Sequence, residues 1–171
     1  MKAADLNDTE YIPYFQTYIN KLGDLVLLDS LEDGLEKTIN FFQSIPEDKH
    51  EYRYAEGKWT IKEIINHLID SERVFCYRAL RFSRNDTTPL SGFDHDDYVL
   101  NSNANKRTVK ALLEEYSLIR QATIKMFQTF DSSVLKLKGQ AGSGTVSVRA
   151  LGFLIAGHEK HHCQIVEERY L

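Results

Sequence analysis

The sequence is poor in cysteine and proline, and it has no long apolar segment. It contains two cysteines and three prolines among 171 residues. Two cysteines are too few for a disulfide framework, so we expect Cys76 and Cys163 to be small buried side chains in a reducing cytoplasm. No apolar run approaches the roughly 18 residues of a membrane span, and the N-terminal segment lacks the apolar stretch of a signal peptide. The sequence therefore predicts a cytoplasmic protein that does not associate with membranes.

Basic residues are not in excess either. The 21 lysines and arginines are outnumbered by 25 acidic residues, which gives a net charge of −4. Binding to nucleic acid or to an anionic membrane requires a clustered basic surface, so we expect neither as a partner. A length of 171 residues and a hydrophobic content of 42% suit one globular domain over residues 1–171.

What the sequence does contain is helical periodicity. Four long amphipathic segments are predicted to be helices, and they cover residues 29–44, 61–83, 107–130 and 147–171. The second has the clearest start, because Thr60 and Glu63 form a capping box. A short N-terminal segment with aromatic residues at helical spacing (Tyr11, Tyr14, Phe15 and Tyr18) is predicted to be an additional helix. The expected fold is all-α, a four-helix bundle with a short extra N-terminal helix.

Two connections are longer than a tight helix hairpin requires. The segment 84–106 is either a functional loop or a crossover between parallel helices, since both need such a length. The segment 131–146 contains the glycines Gly142 and Gly144. It is predicted to be either a flexible lip or a short extended piece, and the pattern does not decide between these.

Six histidines are present, and three of them lie close together near the C-terminus. His158 and His162 are four residues apart, so on a helix their rings share one face and can bind one metal ion. Leu151 and Ile155 continue this face toward the N-terminus, which is the spacing of a core-facing surface. Buried imidazoles require polar partners, and a metal ion would satisfy both. A second series with His161 in place of His162 has acceptable spacing too, so periodicity leaves these two as alternatives.

A third ligand must come from another helix, and His67 is the best candidate. It lies within the segment that Thr60 caps. Asp70, one turn further on, is a candidate to orient a ring or to lie near the metal. His50 and His95 lie in polar segments, and we expect both to be solvated.

Two other metal sites fit the sequence less well. H-E-K-H-H at 158–162 matches the H-E-x-x-H pattern of zinc peptidases, with Glu159 as the general base. However, the chain lacks the strands on which such enzymes align a peptide, and only a short segment follows His162. A di-iron carboxylate bundle needs two E-x-x-H motifs and two further glutamates, whereas only Glu159 and His162 form such a motif on a long helix.

Three segments together resemble the DinB/YfiT-like superfamily of small bacterial four-helix proteins. They are K-W-T-I-K-E-I-I-N-H-L-I-D-S-E-R-V-F at 58–75, P-L-S-G-F-D-H-D-D-Y at 89–98, and G-H-E-K-H-H at 157–162 with E-E-R-Y at 167–170. The resemblance implies a bundle with up-down-down-up connectivity, in which 84–106 is the crossover. It also implies that the ligands of a Zn²⁺, Ni²⁺ or similar ion are His67, His158 and His162 rather than His161. Family members are often homodimers, and those with an assigned activity are metal-dependent hydrolases or enzymes that use low-molecular-weight thiols.

Three neutral imidazoles leave a metal ion with at least one open position, which is typical of a catalytic site. The primary hypothesis is therefore a metal-dependent hydrolase or thiol S-transferase acting on a small molecule. Glu159, Asp70 or a group from 84–106 would move the proton. The alternatives are a non-catalytic bundle that binds a metal or ligand, and a domain whose metal is structural.

Overall fold

The structure is a computed structural model that describes all 171 residues. Its helices and strands are α1 (Gln16–Ile19), α2 (Leu27–Gln43), α3 (Ile61–Ser83), α4 (His95–Asn101), α5 (Val109–Gln128), β1 (Lys138–Ala141), β2 (Gly144–Ser147) and α6 (Val148–Arg169). No helix combines the length and the apolar character that a membrane crossing requires. The four long helices are those that the periodicity predicts, and the short helix α1 precedes them.

The four long helices form a bundle with the predicted up-down-down-up connectivity. Helices α3 and α5 are parallel neighbours, because Glu72 meets Arg120 and Cys76 meets Thr123. Helices α2 and α6 are also parallel, and Thr38 contacts Cys163 between them. Each pair lies antiparallel to the other pair. The segment between α3 and α5 is therefore a crossover between parallel neighbours, which explains its length.

The apolar core consists of two clusters. The larger cluster surrounds Phe127 and Phe153, and the smaller one surrounds Ile64 and Leu112. Along α5, for example, members of the smaller cluster end at Tyr116 and members of the larger cluster begin at Ile124. The long helices carry buried polar side chains between the clusters.

These polar side chains form a layer across the middle of the bundle, which we call the polar layer (Glu72, Tyr116, Arg120, Thr123 and Glu159). Arg120 is only 1% exposed. Its Nε and Nη2 donate to the two carboxylate oxygens of Glu72 at 2.9 and 2.8 Å, and Nη2 lies 2.7 Å from Glu159 Oε2. Tyr116 donates its hydroxyl hydrogen to the same Glu159 oxygen. Buried charges require such partners, and this network links α3, α5 and α6.

Helix α2 completes the layer through close backbone approach. Arg120 Nη1 donates to the carbonyl of Leu31 at 3.3 Å. A Cβ atom on Gly34 would lie 1.8 Å from Glu159 Oε1. Gly34 thus leaves the space that the Glu159 carboxylate occupies, and the polar layer contacts all four long helices.

The N-terminal segment packs against the start and middle of α6. Glu10 accepts hydrogen bonds from Ser147 Oγ at 2.8 Å and from Arg149 Nε at 2.6 Å, and all three residues are buried. Further along, α1 crosses α6 so closely that a Cβ atom on Gly157 would lie 2.3 Å from the carbonyl oxygen of Tyr18. This contact holds Tyr18 beside the histidines of α6.

The two long connections meet at one end of the bundle. Segment 131–146 contains an antiparallel hairpin of β1 and β2, so the extended alternative is correct. Segment 84–106 contains α4. Leu90 joins the two, because its N–H donates to Gln140 at 3.0 Å and its carbonyl accepts from Gly142 at 2.9 Å.

Candidate metal centre

Three histidine side chains converge between α3 and α6. His158 Nε2 lies 3.0 Å from His67 Nε2 and 3.0 Å from His162 Nε2. The candidate ligand atoms of the three residues all lie within 4.8 Å of one another. The four-residue spacing places His158 and His162 on one face of α6, and the antiparallel packing of α3 places His67 opposite them.

Burial keeps these imidazoles neutral. It lowers the pKa of His67 to about 3, with a smaller electrostatic contribution from His95. Burial also lowers the pKa values of His158 and His162 far below the ordinary value, and the neighbouring imidazoles add to the effect. Neutral imidazole is the form that binds metals. All three rings therefore present the protonation state that a cation needs at neutral pH.

The arrangement of the nitrogens also fits a metal ion. His158 Nε2 has two ring nitrogens as neighbours, but it has only one lone pair or one hydrogen to share with them. Hydrogen bonds within the trio thus leave one contact poorly satisfied. Tetrahedral Zn²⁺ with bonds of about 2.0–2.1 Å to nitrogen would separate its ligand atoms by about 3.3 Å, which is close to the two 3.0 Å distances from His158 Nε2.

Aromatic rings and one hydroxyl group orient the histidines. The Trp59 ring centroid is 4.6 Å from that of His67, and the Tyr18 centroid is 5.3 Å from that of His158. Ser71 Oγ lies 3.5 Å from His67 Nδ1, at the outer limit of a hydrogen bond. A partner at the second ring nitrogen directs the first one toward a metal.

The trio lies in the wall of a cavity of about 430 Å³. Its volume is in the range of small-molecule sites. The wall is largely aromatic and includes Phe15, Tyr18, Trp59, Phe75 and Phe93. The three histidines thus share one cavity with these aromatic side chains.

His161 and His95 line the same cavity but lie outside the trio. The His161 ring packs against Tyr18, with 5.2 Å between centroids. The geometry thus groups His162, not His161, with the other two nitrogens. The His95 side chain is 51% exposed, and its ring lies 5.8 Å from that of His67. His95 is thus exposed to solvent, as expected, and in addition it forms part of the cavity wall.

Of the three predicted sources of a proton carrier, segment 84–106 lines the cavity, whereas Glu159 and Asp70 do not. Glu159 belongs to the polar layer, where Arg120 and Tyr116 hold its carboxylate. Burial raises the pKa of Glu159, although Arg120 opposes the shift. Asp70 accepts a hydrogen bond from Asn66 at 2.7 Å, and burial raises its pKa as well. Neither side chain is among the groups that line the cavity.

Arg78 and Trp59 are cavity residues that the sequence analysis does not single out. Helical spacing contains part of the signal. His67, Ser71 and Arg78 fall at i, i+4 and i+11 on α3, which places them on one face of the helix. The remaining lining comes from the hairpin and the crossover, and no periodicity relates these segments to α3.

The comparisons with known proteins agree with this architecture. The chain is similar to a protein of Oceanobacillus iheyensis named "putative metal-dependent hydrolase", with 25% identity over 167 residues that cover 90% of this chain and 79% of the relative. Its fold is similar to that of YfiT from Bacillus subtilis, which is described as "a probable metal-dependent hydrolase with an unusual four-helix bundle topology". That match has a TM-score of 0.76, 15% identity, and covers 83% of this chain and 82% of the other.

A family model agrees with the resemblance found in the sequence. The model describes the DinB superfamily and matches residues 30–166. This range includes all of α3 and α5, most of α2 and α6, and the three converging histidines. Because the match spans most of its length, the chain belongs to the DinB superfamily.

Proposed function

We propose that this protein is a metal-dependent hydrolase that acts on a small molecule, with a divalent ion bound by His67, His158 and His162. The observation that carries the proposal is the convergence of three neutral imidazoles, two of them buried and that of His162 half-buried, at the wall of a cavity. The name of the Oceanobacillus iheyensis relative supports the same class of reaction. An all-nitrogen ligand set suits Zn²⁺ or Ni²⁺, and either ion is compatible with this proposal.

When bound, such an ion supplies Lewis-acid activation of water and of an electrophilic carbonyl or phosphoryl group. The protein's own groups do the rest. The aromatic wall makes the surroundings of the ion less polar than water, which strengthens electrostatic interactions inside the cavity. We assign proton exchange with solvent to His95, which reaches both the cavity and the surface. Glu159 and Asp70 have no place in this scheme, since neither lines the cavity.

Metal binding can be tested with the protein's own fluorescence. Trp59 is the only tryptophan in the chain, and its ring lies 4.6 Å from that of His67. We expect elemental analysis of protein purified without added metal to find about one divalent ion per chain, and we expect one equivalent of Ni²⁺ to quench the Trp59 emission once that ion has been removed. His67→Ala should abolish both signals. His50→Ala is the matched control, because the His50 ring instead bonds to the Ile45 carbonyl.

The reaction class needs a separate screen. Ester and amide hydrolysis by the loaded protein supports the proposal, provided that His67→Ala abolishes it. Metal-dependent conjugation of a low-molecular-weight thiol without hydrolysis would favour a thiol S-transferase. A loaded protein with neither activity would favour a binding module. Wild-type protein that is folded but takes up no ion would refute the metal centre itself.

A further inference from the structure

Arg78 is a buried arginine without an acidic partner. Three arginines are buried, with exposures of 7% for Arg78, 1% for Arg120 and 6% for Arg149. The other two form ion pairs with glutamates. Arg78 donates from Nη2 to the carbonyl of Ser91 at 3.0 Å, and its guanidinium lies 5.8 Å from the Phe93 ring centroid. It forms no salt bridge.

A guanidinium group in this position has unused binding capacity. It carries a positive charge and five N–H donors. The protein uses one of these donors, for the Ser91 carbonyl. Burial of a charge is unfavourable unless it is paired, and every other buried arginine in this chain is paired. An external anion would supply the ion pair that the chain itself does not provide.

The free side of Arg78 faces the same cavity as the histidine trio. His67 and Arg78 are eleven residues apart on α3, which corresponds to about 16 Å along the helix axis. Long side chains on a helix generally lean toward its N-terminus, and both side chains line the one cavity. Aromatic side chains, including Phe15 and Phe75, line the cavity together with these two groups.

We propose that Arg78 binds the carboxylate of the substrate, and that this substrate is a small molecule with an apolar body between its carboxylate and its reacting group. The inference rests on the proposed function, which places the reaction at His67, His158 and His162. The cavity is lined by no lysine and by no second arginine. A single guanidinium matches the charge and the two-oxygen geometry of a carboxylate better than those of a phosphate dianion.

The test measures binding, not turnover. The probe is 3-phenylpropionate, and its neutral counterpart is 3-phenylpropionamide. Isothermal calorimetry measures the affinity of the metal-loaded protein for each of these two compounds. We expect the carboxylate to bind more tightly than the amide, and we expect Arg78→Gln to weaken carboxylate binding about 10-fold or more while leaving amide binding unchanged. Arg78→Lys should restore part of the preference. Arg73→Gln is the matched control, because Arg73 lies on the same helix but pairs with Asp70 and Glu115 at the surface.

Further measurements separate this inference from the proposed function. Ni²⁺ stoichiometry and thermal unfolding of Arg78→Gln must match the wild type, so that the loss of binding reports on the guanidinium. In His67→Ala the preference for carboxylate over amide should persist, because Arg78 remains. The opposite result is a preference for carboxylate over amide that disappears in His67→Ala but survives in Arg78→Gln. It would show that the carboxylate binds the metal, and it would overturn the role of Arg78. The metal centre itself would still be supported. Tighter, Arg78-dependent binding of phenyl phosphate would overturn the choice of carboxylate.

Discussion

Replacement of Arg120 by methionine would remove the only cation of the polar layer. Methionine has a similar length and no charge, so the change leaves little empty volume but leaves the Glu72 and Glu159 carboxylates without the guanidinium. Removal of one partner of a buried ion pair costs about 3–5 kcal/mol. Two carboxylates lose the same partner here, and both are buried. We therefore expect a loss near the upper end, about 5 kcal/mol, against a total of about 5–15 kcal/mol for a typical domain.

The loss should depend on pH in a defined direction. A buried carboxylate without a cation must take up a proton, so its pKa in the folded state rises above its value in the unfolded state. The cost of that protonation is small below about pH 4.3 and grows by about 1.4 kcal/mol for each pH unit above it. If the folded Arg120→Met variant binds one proton more than the folded wild type, its loss of unfolding free energy relative to the wild type should be about 2.7 kcal/mol smaller at pH 5 than at pH 7.

Urea unfolding followed by circular dichroism at pH 5 and pH 7 measures this difference. Glu159→Gln is the comparison variant, because burial already raises the pKa of Glu159 and an amide keeps an oxygen for Tyr116 and Arg120. We expect it to cost less than about 1.5 kcal/mol, and it remains measurable if Arg120→Met does not fold. A deficit of Arg120→Met that is equal at both pH values, or larger at pH 5, would refute the reasoning.

Three further changes test other parts of the structure. Gly157→Ala should destabilise the protein by about 1–2 kcal/mol in urea unfolding, because the new Cβ atom would lie 2.3 Å from the Tyr18 carbonyl oxygen. Helix propensity alone predicts a gain in stability of about 1 kcal/mol instead. Such a gain would show that the N-terminal segment moves aside freely. Although burial opposes ionisation, hydrogen bonds with Arg149 and its neighbours lower the pKa of Glu10 from 4.5 to about 2. Glu10 thus contributes about 3 kcal/mol of stability above pH 4.5 that is lost as the pH falls toward 2, and Glu10→Gln should abolish this part of the acid dependence of the urea midpoint. Chelation with EDTA should leave the helical circular dichroism signal intact, since two apolar clusters support the fold without the ion; unfolding on chelation would instead establish a structural metal.

Local interactions made several features predictable from the sequence. The capping box at the start of α3 forms as the pattern predicts, with Glu63 N–H donating to Thr60 Oγ1 at 3.1 Å and Thr60 N–H donating to Glu63 at 2.8 Å. Both partners lie within one helical turn. The bounds of the long helices and the shared face of His158 and His162 have the same origin, because they depend on residues three or four positions apart.

Features that join distant segments were predicted less well. The place of His95 at the cavity depends on where the crossover packs, and polar neighbours in the sequence indicated only a solvated side chain. The hairpin in segment 131–146 remained one of two alternatives, since its strands are only four residues each. The place of Arg78 could not be predicted, because only the tertiary structure shows that it is buried and that no carboxylate lies beside it.

Neighbouring residues on α6 show this division most clearly. The sequence by itself determined that His158 and Glu159 point in different directions, since successive residues on a helix are about 100° apart. Only the tertiary structure decided that His158 faces His67 on α3 whereas Glu159 faces Arg120 on α5. A helical period specifies which side chains share a face, but the partner of that face depends on the packing of helices that are far apart in the chain. For this reason two histidines of the pattern H-E-K-H-H, His158 and His162, lie with His67 at the candidate metal centre, whereas Glu159 has a buried structural role.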